Sequence, residues 1–484
     1  MSRVALTALL WAGFWTLALL LAGGLAWVPI AQLRYEGAPG PSGLLAGLGA
    51  LTVLWALRPR GWFTKKVASS RLPIARADAE GLAAFVDGVA SRLGAPSPHR
   101  VAFADHATAY VGVERRWGGL KKTVEVGIGL PLFALLGRDE LSAVLAHEFG
   151  HQLGGDTALG PWVHRTHRSL AAAVEALDDS AFFLDVPFRA YGQLFLRVSA
   201  QVSREQERTA DRRSAQVYGA PAAASALRVV HGIGTLWDVY FDAEVEPLLH
   251  LGVRVPLLEG FRQFLAEPVK RPEVVKAIEA IVGRPPSPWD SHPTLAERLA
   301  SLGEAAVQED AALAGPQRPP PSNCLDLLGG EAAAEDLWYR IATNGKMTPL
   351  RWDEVGQKAL LPAMREALEE NGLTPATADL EALPQLLAEG GGLWERLRKG
   401  GVDLLSAEGK RQRSRRMLTD WFAVSLWWKG FEPVVRPGAA LRLRRGPVEL
   451  DPAQVIEGLV SGRFTAADHL ELCEAIARTG TAVA

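Results

Sequence analysis

Two histidines four residues apart, with a glutamate directly after the first, are the side chains of this sequence best suited to chemistry. His147, Glu148 and His151 lie in the segment 146–151, which reads AHEFGH. Residues four apart share one face of a helix, so both imidazoles can point at one ion. The pattern is typical of a zinc site in which the glutamate acts as general base on a zinc-activated water. Two surface histidines on an ordinary helix are the alternative interpretation.

A catalytic zinc ion needs a third protein ligand beside its open position. A histidine six residues after His151 supplies it in one class of zinc peptidase, but Thr157 occupies that position. A carboxylate from a later helix is the other solution, and Glu207 can supply it. Asp211 lies one turn further and could accept a hydrogen bond from the outer N–H of a ligand histidine. Taken alone, this arginine-rich segment also fits a solvated charged helix.

Two further histidines, His164 and His167, follow the pair and could in principle bind a metal. They are three residues apart, and Arg165 and Arg168 flank them. Such surroundings favour a solvated helix face, so we do not predict them as ligands.

The elements that must position these residues follow from the hydrophobic pattern. Apolar residues at helical spacing predict a helix over 139–152, which carries the histidine pair, and another over 78–93. Long helices are predicted for 158–218. Three β-leaning segments precede the histidine helix, and the last two should form a hairpin: 100–103, 109–113 and 123–128. Helical segments and one hairpin are predicted beyond residue 323, at 352–371, 411–428 and 434–450.

The predicted fold class is α+β and mainly helical. It comprises a zincin-type metallopeptidase domain after an N-terminal transmembrane hairpin, with an additional C-terminal helical domain. The predicted bounds are 1–60 for the membrane anchor, 61–303 for the peptidase domain, 304–322 for a Pro-rich linker and 323–484 for a C-terminal domain of unassigned role.

The membrane anchor is predicted from two uncharged runs. The first extends from Val4 to Leu33 and exceeds the roughly 20 residues that a spanning helix needs. A cleaved signal peptide is the alternative, although its apolar part is usually about 7–15 residues long. The second run, from Ala38 to Leu57, is shorter. Basic residues follow it closely: Arg58, Arg60, Lys65, Lys66 and Arg71. Their position predicts a multi-pass protein of the cell membrane whose catalytic domain faces the cytoplasm.

Composition excludes several other classes of protein. The chain has 484 residues and a formal net charge of -2, which gives no electrostatic basis for binding nucleic acid. Its two cysteines, Cys324 and Cys473, are far apart in sequence and form no CxxC motif. A cysteine zinc site and a disulfide framework are therefore not expected.

Four motifs together resemble the HtpX-type zinc metallopeptidases, which are gluzincins related to the CAAX prenyl endopeptidases. They occur in the family's order over roughly residues 60–303: 127–131 (GIGLP), 145–151 (LAHEFGH), 207–211 (ERTAD) and 291–294 (SHPT), the last followed by Glu297 and Arg298. The membrane spans that the best-known members carry between the second histidine and the ligand glutamate are not evident here.

The resemblance implies a role for each matching residue. His147, His151 and Glu207 would bind Zn²⁺, with Glu148 as base and Asp211 as a hydrogen-bond partner of a ligand. A strand near 109–113 would line the cleft. His292 would lie near the metal, either as a donor to the oxyanion or in a capping role that holds the following helix.

The function predicted from these features is that of a membrane-anchored zinc metalloendopeptidase. Its substrates would be proteins or peptides, with misfolded and membrane proteins among the candidates. A catalytically inactive, protease-like membrane adaptor is one alternative, and a zinc hydrolase acting on a small or lipid-linked substrate is another. The sequence indicates neither the physiological substrate nor the oligomeric state.

Overall fold

The structure is a computed structural model, and it is mainly helical with a smaller share of sheet, as the sequence predicts. Apart from six single residues between 276 and 290, the residues that it describes are 3–56, 72–104, 106–116, 121–154, 185–268, 292–304, 324–343, 346–373, 380–397 and 405–481.

The secondary-structure elements are labelled here in chain order. The helices up to residue 301 are α1 (Arg3–Glu36), α2 (Pro41–Ala56), α3 (Glu80–Arg92), α4 (Leu130–Leu135), α5 (Arg138–Leu153), α6 (Asp185–Tyr218), α7 (Ala220–His231), α8 (Ile233–Tyr240), α9 (Glu246–His250), α10 (Leu257–Ala266) and α11 (Leu295–Ser301). The later helices are α12 (Glu331–Ala342), α13 (Trp352–Val355), α14 (Leu361–Glu370), α15 (Leu383–Ala388), α16 (Gly391–Leu397), α17 (Ala407–Trp428), α18 (Pro452–Ser461) and α19 (Ala466–Thr481). The strands are β1 (Leu72–Ile74), β2 (Arg100–Ala104), β3 (Ala109–Arg116), β4 (Lys121–Gly129), β5 (Val253–Arg254), β6 (Thr348–Pro349), β7 (Glu432–Val434), β8 (Arg442–Arg445) and β9 (Val448–Leu450).

The chain divides into two compact units, each built from more than one stretch of sequence. The first comprises residues 1–235, 278–314 and 318–338. The second comprises residues 236–277, 315–317 and 339–484.

Two apolar helices, α1 and α2, open the first unit. The part of α1 from Leu9 to Glu36 is long and apolar enough to cross a membrane, whereas α2 is shorter. Gln32 joins the two helices, because its amide nitrogen donates to the Ser42 hydroxyl over 3.1 Å and its oxygen accepts the Gly40 N–H at 3.1 Å. The pair therefore forms a helical hairpin.

The sheet of the first unit has the strand order β1-β2-β4-β3. β3 and β4 are antiparallel, with Ala109 opposite Ile128, which confirms the predicted hairpin. β2 pairs with β4 in parallel, and β1, which the sequence pattern does not predict, adds to β2. Within the described sheet β3 pairs on one side alone, so its other side is an edge.

Helix α6 connects the apolar hairpin to the remainder of the first unit. Near its start, the Tyr191 hydroxyl donates to the Leu10 carbonyl, and Phe195 packs with Phe14 and Ala18 of α1. The 16 residues from Tyr191 to Glu207 correspond to a rise of about 24 Å at about 1.5 Å per residue. One continuous helix thus extends from α1 to the residue predicted as the third metal ligand.

The core of the second unit is centred on α17. Leu418, Phe422 and Leu426 are fully buried, and helices α14, α16 and α18 pack around them. The predicted hairpin at 434–450 is a three-stranded antiparallel meander, β7-β8-β9. Gly446 has a positive φ of 57° and makes the tight turn between β8 and β9.

Candidate metal centre and active site

Helix α5 carries the histidine pair, and its start is defined by local interactions. Glu140 accepts the Gly137 N–H at 2.8 Å, which satisfies a backbone donor at the N-terminus. Leu141, Leu145 and Phe149 are fully buried on one face. This apolar packing fixes the rotation of the helix, so the residues predicted to do chemistry project from a different face.

Close packing between α5 and α6 brings the two sets of predicted ligands together. A Cβ on Gly150 would lie 3.2 Å from the Cα of Ala210, so the glycine allows an unusually close approach of the helices. The Arg213 guanidinium donates to the Gly150 carbonyl at 2.8 Å, and the Ser214 hydroxyl donates to Ala143 at 2.7 Å. These contacts fix α6 in a register that directs Glu207 toward α5.

Three potential metal ligands converge as a result. The Nε2 atoms of His147 and His151 are 3.1 Å apart. Oε2 of the Glu207 carboxylate lies 3.3 Å from Nε2 of His147, and Oε1 lies 3.6 Å from Nε2 of His151. Four-coordinate zinc holds such ligands at about 2.0–2.2 Å, which places neighbouring donor atoms about 3.3–3.6 Å apart. The two imidazole nitrogens and the carboxylate group therefore suit zinc in chemistry and lie close to the spacing that it requires.

Asp211 lies behind the first histidine. Its Oδ1 is 2.9 Å from Nδ1 of His147, so the ring donates there and leaves Nε2 free to coordinate a metal. The Arg298 guanidinium makes two hydrogen bonds to the same carboxylate, at 2.6 and 2.9 Å. Burial would raise the pKa of Asp211, but the hydrogen bonds from His147 and Arg298 hold it below its usual value.

Glu207 has a second histidine partner besides the pair on α5. Nδ1 of His292 donates to its Oε1 over 2.9 Å. Burial would raise the pKa of Glu207, but the neighbouring His147, the hydrogen bond from His292 and the charge of Arg298 lower it strongly. The carboxylate is therefore ionised, as a metal ligand must be.

The site opens into a cavity of about 520 Å³. Glu148 lines it beside the ligand cluster, and burial raises the pKa of this carboxyl group against the opposing effect of the two neighbouring histidines. Thr108 and Ala109, at the start of edge strand β3, also line the cavity, as does His292. The cavity thus combines a buried carboxylate, three converging ligands and a strand edge.

Arg298 and His231 are functional candidates to which the sequence analysis assigns no role. Arg298 is 5% exposed and lies 3.5 Å from Glu207 as well as bonding Asp211. Its Nη1 donates to Nε2 of His231 over 3.1 Å, and His231 lines the same cavity. Burial and the adjacent guanidinium lower the pKa of His231 to about 4, so the ring is neutral. Arg298 stands in the last of the four motifs, whereas nothing in the sequence around His231 marks it.

The alternative of a solvated charged helix applies to one face of α6. Glu205 pairs with Arg212 at 3.0 Å and with Arg208 at 3.6 Å, away from the ligand cluster. The helix therefore has a charged outer face and a ligand-bearing inner face. Thr157, His164 and His167 lie outside the described residues.

Replacing Asp211 by alanine should weaken zinc affinity by about 10–100-fold, because His147 loses the acceptor that orients its ring. It should also lower the melting temperature, since the buried Arg298 loses its partner. Asp211→Asn keeps an acceptor and should have a smaller effect on both. Competition with a chromophoric chelator measures the affinity, and wild-type zinc affinity in Asp211→Ala would contradict this role.

A helix bearing two histidines and a glutamate, with a ligand carboxylate from a later helix, is the arrangement of a zinc-dependent peptidase. The sequence comparison agrees with this class: residues 76–306 match the model of peptidase family M48. The matched segment contains all the predicted site residues. The resemblance based on the four motifs is thereby confirmed.

Comparison with solved structures gives a more distant similarity. The crystal structure of S. mikatae Ste24p is similar over 62% of this chain and 67% of that chain, with 17% sequence identity and a TM-score of 0.25. A similarity at this level supports no statement about fold or function. No curated protein matches the chain in a sequence comparison.

Proposed function

We propose that this protein is a membrane-anchored zinc metalloendopeptidase that hydrolyses internal peptide bonds of protein substrates. The observation that carries the proposal is the convergence of His147, His151 and Glu207, whose donor atoms lie 3.1–3.6 Å apart beside the carboxylate of Glu148. The match of residues 76–306 to the model of a peptidase family supports the same reaction class.

The metal would be held by His147, His151 and Glu207. A zinc ion at such a site supplies a Lewis acid, which polarises the scissile carbonyl and lowers the pKa of a water molecule to about 7. Asp211 fixes the tautomer of His147, and Arg298 in turn holds Asp211. These contacts keep the ligands in place before substrate binds.

Glu148 would act as the general base. It is next to the first ligand in sequence, it lines the cavity, and it does not belong to the group whose atoms converge on the metal position. Its carboxylate accepts the proton of the attacking water and then delivers that proton to the leaving amine. The raised pKa of Glu148 suits this exchange, because a pKa nearer to neutral pH allows the group both to accept and to release a proton.

The substrate would bind as an extended peptide along β3. The free edge of this strand offers backbone N–H and C=O groups, and its first residues line the cavity. Pairing of an extended peptide with such an edge positions a backbone carbonyl independently of the side chains. A peptide or protein substrate is therefore favoured over a small one.

His292 would contribute to turnover. Its Nδ1 is bonded to Glu207, its side chain is 71% exposed, and Nε2 has no partner among the described residues. The ring is therefore available to donate to the developing oxyanion. The alternative is that His292 only positions the Glu207 carboxylate through their hydrogen bond. Loss of an oxyanion donor typically costs about 100- to 1,000-fold in turnover.

His292→Ala should accordingly lower kcat by about 100- to 1,000-fold even when zinc is added to saturation. The measurement is peptide hydrolysis as a function of added zinc, with thermal melting to confirm folding. If excess zinc restores the wild-type rate, the residue serves only to orient Glu207.

The membrane anchor is proposed to comprise both α1 and α2. Among the residues that the structure describes, α1 is the helix with the length and composition of a span, and α2 packs beside it as the second half of a hairpin. Contact of α6 with α1 would then hold the catalytic centre close to the membrane surface. Both ends of the hairpin would face the cytoplasm, because basic residues follow α2.

A reporter inserted after residue 71 should therefore be cytoplasmic. Five basic residues between 58 and 71 disfavour translocation of this segment. The measurement is labelling of a single cysteine at the insertion with a membrane-impermeant reagent in intact cells. Labelling from outside at the rate of an external control site would contradict the proposed orientation.

The experiment that tests the proposed activity uses the full chain purified in detergent and an unfolded protein substrate. Sequencing of the products should reveal new N-termini inside the substrate, because an open cavity beside a strand edge admits internal segments of a chain. Absence of cleavage together with retained substrate binding would instead indicate a protease-like adaptor.

A further inference from the structure

The second unit contains a cavity of about 330 Å³ that the peptidase chemistry does not use. It lies between helices α15, α17 and α18 and the start of α19, and all of these elements belong to the second unit. Its lining combines apolar residues with two arginines, Arg411 and Arg415.

The apolar wall is preformed. Leu418 is fully buried among the lining residues, whereas Phe464 is 44% exposed and Val460 is 39% exposed. A Cβ on Gly458 would lie 2.0 Å from the Phe464 ring, so this glycine allows the ring to lie directly on α18. An exposed aromatic ring held in this way offers an apolar surface to a ligand at little entropic cost.

The cationic side of the cavity is incompletely neutralised. Arg411 makes two hydrogen bonds to Glu408, at 2.6 and 2.9 Å. Arg415, one turn further along α17, is partly buried, and its guanidinium makes no hydrogen bond or ion pair with any residue that the structure describes. Glu408 acts on Arg415 only through a longer-range electrostatic interaction. A partly buried guanidinium next to apolar groups favours an anionic partner.

Neighbouring basic residues of α17 are engaged elsewhere. Lys410 pairs with Glu395 at 2.5 Å, and the Arg413 guanidinium lies 5.4 Å from the centre of the Trp394 ring. The charge available to a ligand in this cavity is therefore that of Arg415, supported by Arg411 at its rim.

We propose that this cavity binds the C-terminal carboxylate of a peptide whose last residue is apolar. The planar guanidinium of Arg415 matches a carboxylate in shape and charge, and capture of a chain terminus is an established mode of peptide recognition. The apolar wall formed by Leu387, Leu459 and Phe464 receives the last side chain. A volume of about 330 Å³ is at the small end for ligand pockets, which suits one or two side chains rather than a long acyl chain.

The test compares two fluorescein-labelled hexapeptides that both end in Val-Leu, one with a free carboxylate and one with a C-terminal amide. Fluorescence anisotropy is measured with the full chain in detergent, in a Glu148→Gln background so that the probe is not consumed. The free acid should bind at least about 10-fold more tightly than the amide, since hydrogen bonds to a charged group contribute more than neutral ones. The comparison does not depend on whether the chain is a peptidase.

Variants locate the site. Arg415→Gln should weaken binding of the free acid by about 10- to 100-fold and leave binding of the amide unchanged. Phe464→Ala should weaken binding of both peptides. Arg416→Gln, an exposed neighbour on the same helix that does not line the cavity, is the matched control and should bind like the parent. Thermal melting confirms that each variant is folded.

Equal affinity for the acid and the amide would overturn the proposal, as would unchanged binding of the free acid in Arg415→Gln. Anionic phospholipid vesicles form the third arm of the test. Arg415-dependent binding to these vesicles without binding of the peptide acid would assign the cavity to a lipid and would equally overturn the proposal.

Discussion

Replacement of Glu148 by glutamine is expected to reduce peptide hydrolysis by about 100- to 10,000-fold while the zinc content stays at the wild-type level. The amide has nearly the same shape as the carboxylate but cannot accept the proton of the attacking water. Glu148 is not among the three residues whose donor atoms converge, so its replacement leaves the ligand set intact. The two readouts are the initial rate of cleavage and metal content by elemental analysis.

The separation of these readouts makes the Glu148 prediction specific. A variant that retains zinc and loses turnover identifies a group that acts on the reaction rather than on the metal. Cleavage at the wild-type rate by Glu148→Gln would show that the assigned base is wrong. Loss of zinc together with activity would show that this carboxylate serves the metal site instead.

Replacement of Glu207 by alanine is expected to remove both the zinc and the activity. The substitution deletes one of the three ligands and leaves two imidazoles from one helix, too few for a catalytic zinc site. It also removes the carboxylate to which His292 donates at 2.9 Å. The measurements are zinc content after dialysis and the rate of peptide hydrolysis.

Glu205→Ala is the matched control for Glu207→Ala. It lies on the same helix and pairs with Arg212 on the outer face, so it should retain zinc and activity. His164→Ala should also retain zinc. Glu207→Gln preserves the shape of the side chain and separates loss of a ligand from loss of folding. Full zinc occupancy in Glu207→Ala would overturn the assignment of this residue as the third ligand.

The part of the site that lies on one helix could be predicted from sequence because helical spacing alone determines it. His147 and His151 are one turn apart, and that interval is sufficient to place both rings on one face. The hairpin of β3 and β4 was predictable for a similar reason, since each strand and the turn between them are local features. Glu207 is predictable only because a catalytic zinc ion needs a third protein ligand, which must come from another helix.

The residues that sequence reasoning missed depend on contacts between distant segments. Arg298 is 87 residues from Asp211 along the chain, yet it makes two hydrogen bonds to it. The last of the four motifs includes Arg298, but its position in the sequence does not show that its side chain is buried against Asp211. His231 is important only because it ends α7 beside that guanidinium. The parallel pairing of β2 with β4 is likewise a tertiary feature, and β1 is too short for its pattern to be evident.

The boundaries of the two compact units also depend on contacts between segments that are distant in sequence. The sequence predicts a boundary at the Pro-rich stretch 304–322, because proline disfavours regular structure there. In the structure, residues 318–338 cluster with the first unit and residues 236–277 with the second. Packing of the segment Cys324–Leu328 against α3 and α4 accounts for the first of these assignments.

We propose that His147, His151 and Glu207 hold a zinc ion on which peptide hydrolysis depends. The most direct measurement strips the purified full chain with a chelator, removes the chelator, and follows cleavage of an unfolded protein as zinc is returned in measured amounts. The stripped protein should be inactive, and activity should return and saturate at about one zinc per chain, because one set of three ligands converges within the described part of the chain. Undiminished cleavage by protein shown to be free of metal would contradict the dependence of peptide hydrolysis on zinc.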